Sequence, residues 1–132
     1  MDEDAFFYLD IENVIDLYAE FIGCTEQEAA DQIRNRSGLE SALARPRTYA
    51  YYQNADLSLQ AAALAHGIAE GQHFIDANKR MASITMRAFL FFNGYQITAS
   101  QQERAAWILR LSAGGTVEEL ATRIRATLVP TE

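Results

Sequence analysis

Positive charge is scarce in this sequence, and lysine scarcer still. Eleven basic residues face 18 acidic ones for a net charge of -7; ten of the eleven are arginine, and Lys79 is the single lysine. A chain this acidic lacks the basic stripe that duplex nucleic acid or an anionic membrane requires, so any phosphate must be met by a local concentration of cations. One cysteine, Cys24, cannot close an internal disulfide. No stretch approaches the roughly 18 apolar residues of a membrane-spanning helix. The opening "MDEDAFFYLD" is acidic, with too short an apolar run for a secretion signal. We therefore expect a cytoplasmic protein with no direct nucleic-acid or membrane partner. Also missing are a Cys/His cluster at metal-ligand spacing, a Walker-type glycine loop and a serine in a nucleophile elbow.

Only two prolines and seven glycines interrupt 132 residues that are 49% hydrophobic and 22% charged. This balance predicts one compact domain over residues 1–132, without linker, repeat or low-complexity tract. Strand signals are few and helix signals recur. Asp10 can cap a helix carrying Ile11, Val14, Ile15, Tyr18, Phe21 and Ile22 at helical spacing, which stops at Gly23. Thr25 with Glu28, Ser37 with Glu40, and Thr116 with Glu119 each fit the capping-box pattern. Small residues between Leu59 and Gly71 predict a closely packed helix. Asn78 to Asn93, closed by Gly94, predicts a second whose apolar residues surround the axis, as in a buried central helix. Residues 100–113 and 116–128 predict two more. The expected fold is all-α, a compact bundle around that central helix. The stretch "RPRTYAYYQNADLS", 45–58, is expected to form a short loop or β-hairpin flap. Arg45, Arg47, Tyr49, Tyr51 and Tyr52 there either serve a plain connection or grip an extended partner segment.

The densest polar chemistry lies in "EGQHFIDANKRMA", residues 70–82. It places a short loop before the N-terminus of the predicted central helix, where free N–H groups and the helix dipole suit an anion, and Lys79 and Arg80 add to that. Asp76 beside such a site either caps the helix or holds a divalent cation that bridges to phosphate. Phe74 and Ile75 are expected to anchor the loop in the core. His66, in the preceding helix, reads as packing or partner contact, and His73 alone as a surface or hydrogen-bonded histidine.

"FIDANKR", together with "SGLESALARPR" and "FFNGY", resembles the Doc (death-on-curing) branch of the Fic superfamily, whose signature reads H-x-F-x-D-[AG]-N-K-R. The likeness runs from about Ser37 to Tyr95. It implies a compact Fic-type helical fold whose motif loop and following helix hold a nucleotide's phosphates. Fic enzymes typically transfer AMP to a hydroxyl, whereas the Doc branch resembles a kinase that phosphorylates a threonine of translation elongation factor Tu. Matched to the signature, the catalytic histidine falls on Gln72 and His73 takes the variable place. Asp76 would then bind magnesium or orient the base, and Asn78, Lys79 and Arg80 would hold the phosphates of ATP. Lys79 replaces the glycine of AMP-transferring members, and Ser83 stands where many carry a second arginine; both departures favour phosphate transfer.

The resemblance thus implies a toxin of a toxin–antitoxin pair, impaired at Gln72, with an AMP-transferring enzyme or a non-enzymatic binding module of the same fold as alternatives. The family's inhibitory pattern [ST]-x-x-x-E-[GN] is absent, since Glu70–Gly71 and Glu12–Asn13 are preceded four residues earlier by His66 and Tyr8. Inhibition by a small antitoxin in trans is therefore expected. Replacement of His73 by alanine is expected to change little.

Overall fold

A computed structural model describes residues 6–132; most of the acidic lead lies outside them. The elements follow in the order α1 (Ile11–Tyr18), a π-turn (Ala19–Gly23), α2 (Glu26–Asp31), α3 (Arg36–Gln53), α4 (Leu57–Glu70), α5 (Asn78–Phe92), β1 (Tyr95–Ile97), α6 (Gln101–Ser112), α7 (Val117–Thr127) and β2 (Leu128–Pro130). The fold is an all-α bundle. Among the described residues its sheet is the antiparallel pair β1–β2, with Gln96 opposite Val129. No helix among the described residues is long and apolar enough to cross a membrane.

Side-chain caps set most of the helix starts. Asp10 with Asn13, Thr25 with Glu28, and Ser100 with Glu103 form reciprocal capping boxes. Thr116 accepts the Glu119 N–H, but the Glu119 carboxylate turns to Arg110 instead of closing the box. Ser37 is not a cap: Asn35, two residues earlier, accepts the Gly38 N–H at 3.0 Å and starts α3. Asparagine matches serine as an N-cap, so the sequence offered two adjacent starts and the earlier one prevails.

The enclosed helix is α4, not α5. Eleven of its fourteen residues are buried, and α3, α5, α6 and α7 all pack on it. Its alanines and Gly67 let α3 come close; a Cβ on Gly67 would meet Ala42 Cβ at 3.1 Å. Helix α5 buries Met81, Ala82, Thr85, Met86, Phe89 and Leu90 but leaves Phe91 and Phe92 exposed. The ring-like spread of its apolar residues marks a helix with two apolar faces, only one of which is covered.

Residues 45–53 are the last turns of α3, not a loop or hairpin. Pro46 sits inside the helix and is buried. A proline there removes one hydrogen bond and crowds the preceding turn, at about 3 kcal/mol, so tertiary contacts must hold the segment helical. They are present: Arg45 reaches His66 Nδ1 at 3.0 Å and donates to Glu70 at 2.9 Å, and Arg47 lies over the Tyr8 ring at 4.6 Å. Helix α3 ends at Asn54, in the left-handed region at φ 50°.

Asp56 ties two helices together. It caps α4 through the Leu59 N–H and pairs with Arg125 of α7 at 2.7 Å. The Arg125 hydrogen bond, then the Leu59 N–H, hold the Asp56 carboxyl below its ordinary value. A depressed carboxyl contributes stability above its unfolded value, and that contribution is lost as pH falls through the folded one. Asp56→Asn keeps a capping side chain and removes the charge. At pH 7 it should cost no more than about 1 kcal/mol, since the pair is half exposed. The difference from the parent should shrink in thermal melts as the pH is lowered through the acid range.

Candidate functional site

The loop between α4 and α5 is fixed from several sides. Phe74 is fully buried and its ring lies 5.3 Å from that of Tyr18. Ile33 and Phe74 form an antiparallel bridge, with Ile75 N–H donating to Gln32 O at 2.8 Å. Ile75 itself is 56% exposed, so of the two expected apolar anchors only Phe74 enters the core.

His73 is not a free surface residue. It is 6% exposed, and its main-chain oxygen accepts N–H bonds from Arg34 at 2.7 Å and Asn35 at 3.2 Å. Its Nε2 lies 2.8 Å from Gly67 O. A carbonyl only accepts, so Nε2 carries the proton and Nδ1 is the bare nitrogen. Nδ1 is buried without a partner. His73→Ala, expected from its variable place to change transfer little, should nonetheless lower stability, because that change empties a buried site and removes the donor from the Gly67 carbonyl.

Asn78 closes the loop from the other side. Its Oδ1 accepts the Phe74 N–H at 3.0 Å, and its Nδ2 donates to Phe74 O at 3.0 Å. With both side-chain groups committed, Asn78 offers an anion its main-chain N–H. Arg80 donates to Phe21 O at 3.1 Å, the carbonyl of the π-turn. Gln72, Asp76, Lys79 and Arg80 are exposed. Lys79 makes no hydrogen bond or ion pair among the described residues. Asp76 Oδ1 accepts the Ala77 N–H at 2.8 Å; it does not cap the helix. Burial first, and then the nearby Asp76 and Cys24 charges, raise the Tyr18 phenol above its ordinary value.

The start of α5 differs from the other six α-helices. Ala77 occupies the cap position at φ 71°, ψ 25°, with no side-chain cap. The first main-chain bond of the turn runs from Met81 N–H to Ala77 O. Among the described residues the N–H groups of Asn78, Lys79 and Arg80 have no acceptor, which leaves a positive helix end flanked by two cations. Alanine in the left-handed region is strained and is a poor cap. Ala77→Gly should therefore raise stability by about 0.5–1 kcal/mol, net of glycine's unfolded-state entropy, read as a higher urea midpoint at unchanged slope.

The sequence-predicted residues Gln72, Asp76, Asn78, Lys79 and Arg80 thus lie on one loop and helix start. Arg45, Arg47, Tyr49, Tyr51 and Tyr52 belong to α3. Of these, Tyr51 and Tyr52 are 69% and 78% exposed with ring centroids 4.8 Å apart, while Arg45 and Arg47 are engaged within the fold. Sequence reasoning missed the roles of Ala77 and His73; glycines at 67 and 71, flanking the imidazole, were the available signal. A separate groove of about 340 Å³ opens between α1, α5 and β1, lined by Phe21, Ile84, Phe91, Phe92, Tyr95 and Ile97 among others.

Magnesium fits this loop in one manner. Among the described residues no three His, Cys, Asp or Glu side chains group to hold a metal, so a cage made of protein alone is not the arrangement. Asp76 is exposed with one oxygen uncommitted, which suits an ion bound by one carboxylate, water and substrate phosphates. The Fic/DOC family model matches residues 8–90, well over half of the chain. No curated protein sequence matches it.

Proposed function

Because the chain belongs to the Fic/DOC family, whose members are typically transferases, we propose that it is a Doc-like toxin scaffold. It would direct the phosphate of ATP to a hydroxyl of a translation factor resembling elongation factor Tu, with activity impaired by Gln72. The observation that carries this reading is the uncapped start of α5, whose first three N–H groups have no acceptor among the described residues, with the exposed Lys79 beside them. Phosphoryl transfer asks a protein mainly to position and neutralise. The α5 N–H groups with Lys79 and Arg80 would hold the phosphates and Asp76 would hold magnesium, which supplies charge neutralisation when bound; ADP would leave as the γ phosphate passes to the hydroxyl. Residue 72 faces the acceptor hydroxyl. A histidine there takes the proton; the glutamine amide can only hydrogen-bond.

Gln72 itself favours a second reading, a binding module that retains the phosphate site without transfer. The AMP-transferring alternative is less well supported, since Lys79 stands in place of glycine. Control is assigned to a small antitoxin acting in trans, whose flexible segment would fold over exposed apolar and acidic surface; the groove beside Phe21 and Phe91 is one apolar surface of that kind. The deciding experiment incubates the protein and its Gln72→His version with cell extract and ATP labelled at either the α or the γ phosphate. A γ label on a translation factor supports the reading, an α label means AMP transfer, and neither label with either protein means a binding module.

A further inference from the structure

The imidazole of His73 sits in a socket built around it. Gly67 supplies the acceptor at 2.8 Å. A Cβ on Gly38 would lie 3.0 Å from Nδ1, and one on Gly71 would collide with Nε2 and the carbons beside it. Gly71 is therefore required by the ring, whereas Gly38 is required chiefly by the Asn35 side chain that caps α3 beside it; the chain on both sides of residue 73 is held, since Arg34 and Asn35 grip its carbonyl and Asn78 grips Phe74. Residue 72 is the next position along the chain, exposed while its neighbour is buried.

We propose that His73 is a positioning residue: its Nε2–H bond to Gly67 fixes the direction in which residue 72 projects toward the α5 N-terminus. The ring does not touch substrate. It acts by denying the loop a second conformation, the kind of rigid support that a site needs when small misplacements cost large factors in rate. Residue 73 falls at the variable place of the signature, so this support belongs to this chain's own sequence. The catalytic part of the inference rests on the function proposed above; the structural part does not.

Two substitutions separate donor from bulk. In His73→Gln the side-chain nitrogen stands at the same number of bonds as Nε2 and still reaches Gly67; in His73→Asn it matches Nδ1 and falls short. In the protein as it stands, His73→Asn should speed hydrogen exchange of the Arg34, Asn35, Phe74 and Ile75 amides about tenfold, as expected for a buried carbonyl left unpaired. The α7 amides should be unaffected, and His73→Gln should restore the slow rates. In the Gln72→His background, His73→Asn should lower kcat about tenfold at unchanged KM for ATP, with His73→Gln recovering it. Exchange rising equally in α7 and the loop, or a folded His73→Gln that restores nothing, would overturn the inference. If Gln72→His transfers no label while loop exchange behaves as described, the proposed function falls and the positioning role stands.

Discussion

Replacing Gln72 by histidine should raise transfer from ATP to a protein hydroxyl by about 100- to 10,000-fold, the usual worth of a positioned general base. The position is exposed, so a histidine there would be solvated and would titrate near neutral pH, able to accept the hydroxyl's proton in the cell. A glutamine amide has a carbonyl oxygen that can align a hydroxyl but cannot take its proton at neutral pH. His73 cannot stand in. Its Nε2–H is committed to Gly67, its Nδ1 is sealed from solvent, and the ring is 6% exposed. Expression of the Gln72→His chain without its antitoxin should arrest growth, and labelled extract should show one dominant modified protein. Equal labelling by the two chains would mean that residue 72 is not the base.

Much of the scaffold was legible because it is written in local chemistry. Asp10, Thr25 and Thr116 announce helix starts through short polar side chains, and Gly94, at φ 88°, announces the end of α5. What was not legible depends on partners distant in sequence. Pro46 and the tyrosines after it carry loop chemistry, yet Tyr8, His66 and Glu70 hold them in α3. The enclosed helix was misplaced for a related reason. Alanine-rich α4 shows few large apolar residues, but small size is what lets neighbours approach it from several directions. Within the site, the order of Gln72, Asp76, Asn78, Lys79 and Arg80 could be read from the chain, whereas the division of labour among them could not. Asn78 is occupied by Phe74, Arg80 by the Phe21 carbonyl, and His73 by Gly67; only the backbone path brings those acceptors into reach.

That division of labour makes Lys79 and Arg80 separable by experiment. Lys79 is exposed and bonded to nothing among the described residues, so Lys79→Ala should leave the melting temperature unchanged. It should weaken magnesium-dependent ATP binding about 10- to 100-fold, the worth of one or two charge-assisted bonds to phosphate. Arg80 already satisfies the Phe21 carbonyl within the π-turn that continues α1, and a cation there also meets the negative end of that helical run. Arg80→Ala should therefore lower both ATP affinity and thermal stability, whereas Arg80→Lys should recover part of the affinity without the planar guanidinium's geometry. Gln72→Ala should leave affinity within about threefold of the parent, because the attraction comes from the α5 N–H groups and the two cations, none of which depends on residue 72. Titration calorimetry at two salt concentrations checks all four, with the Lys79 contribution shrinking as salt rises. If ATP bound equally to the parent, Lys79→Ala and Arg80→Ala proteins, the phosphate site would lie elsewhere, and the uncapped start of α5 would be only a strained turn.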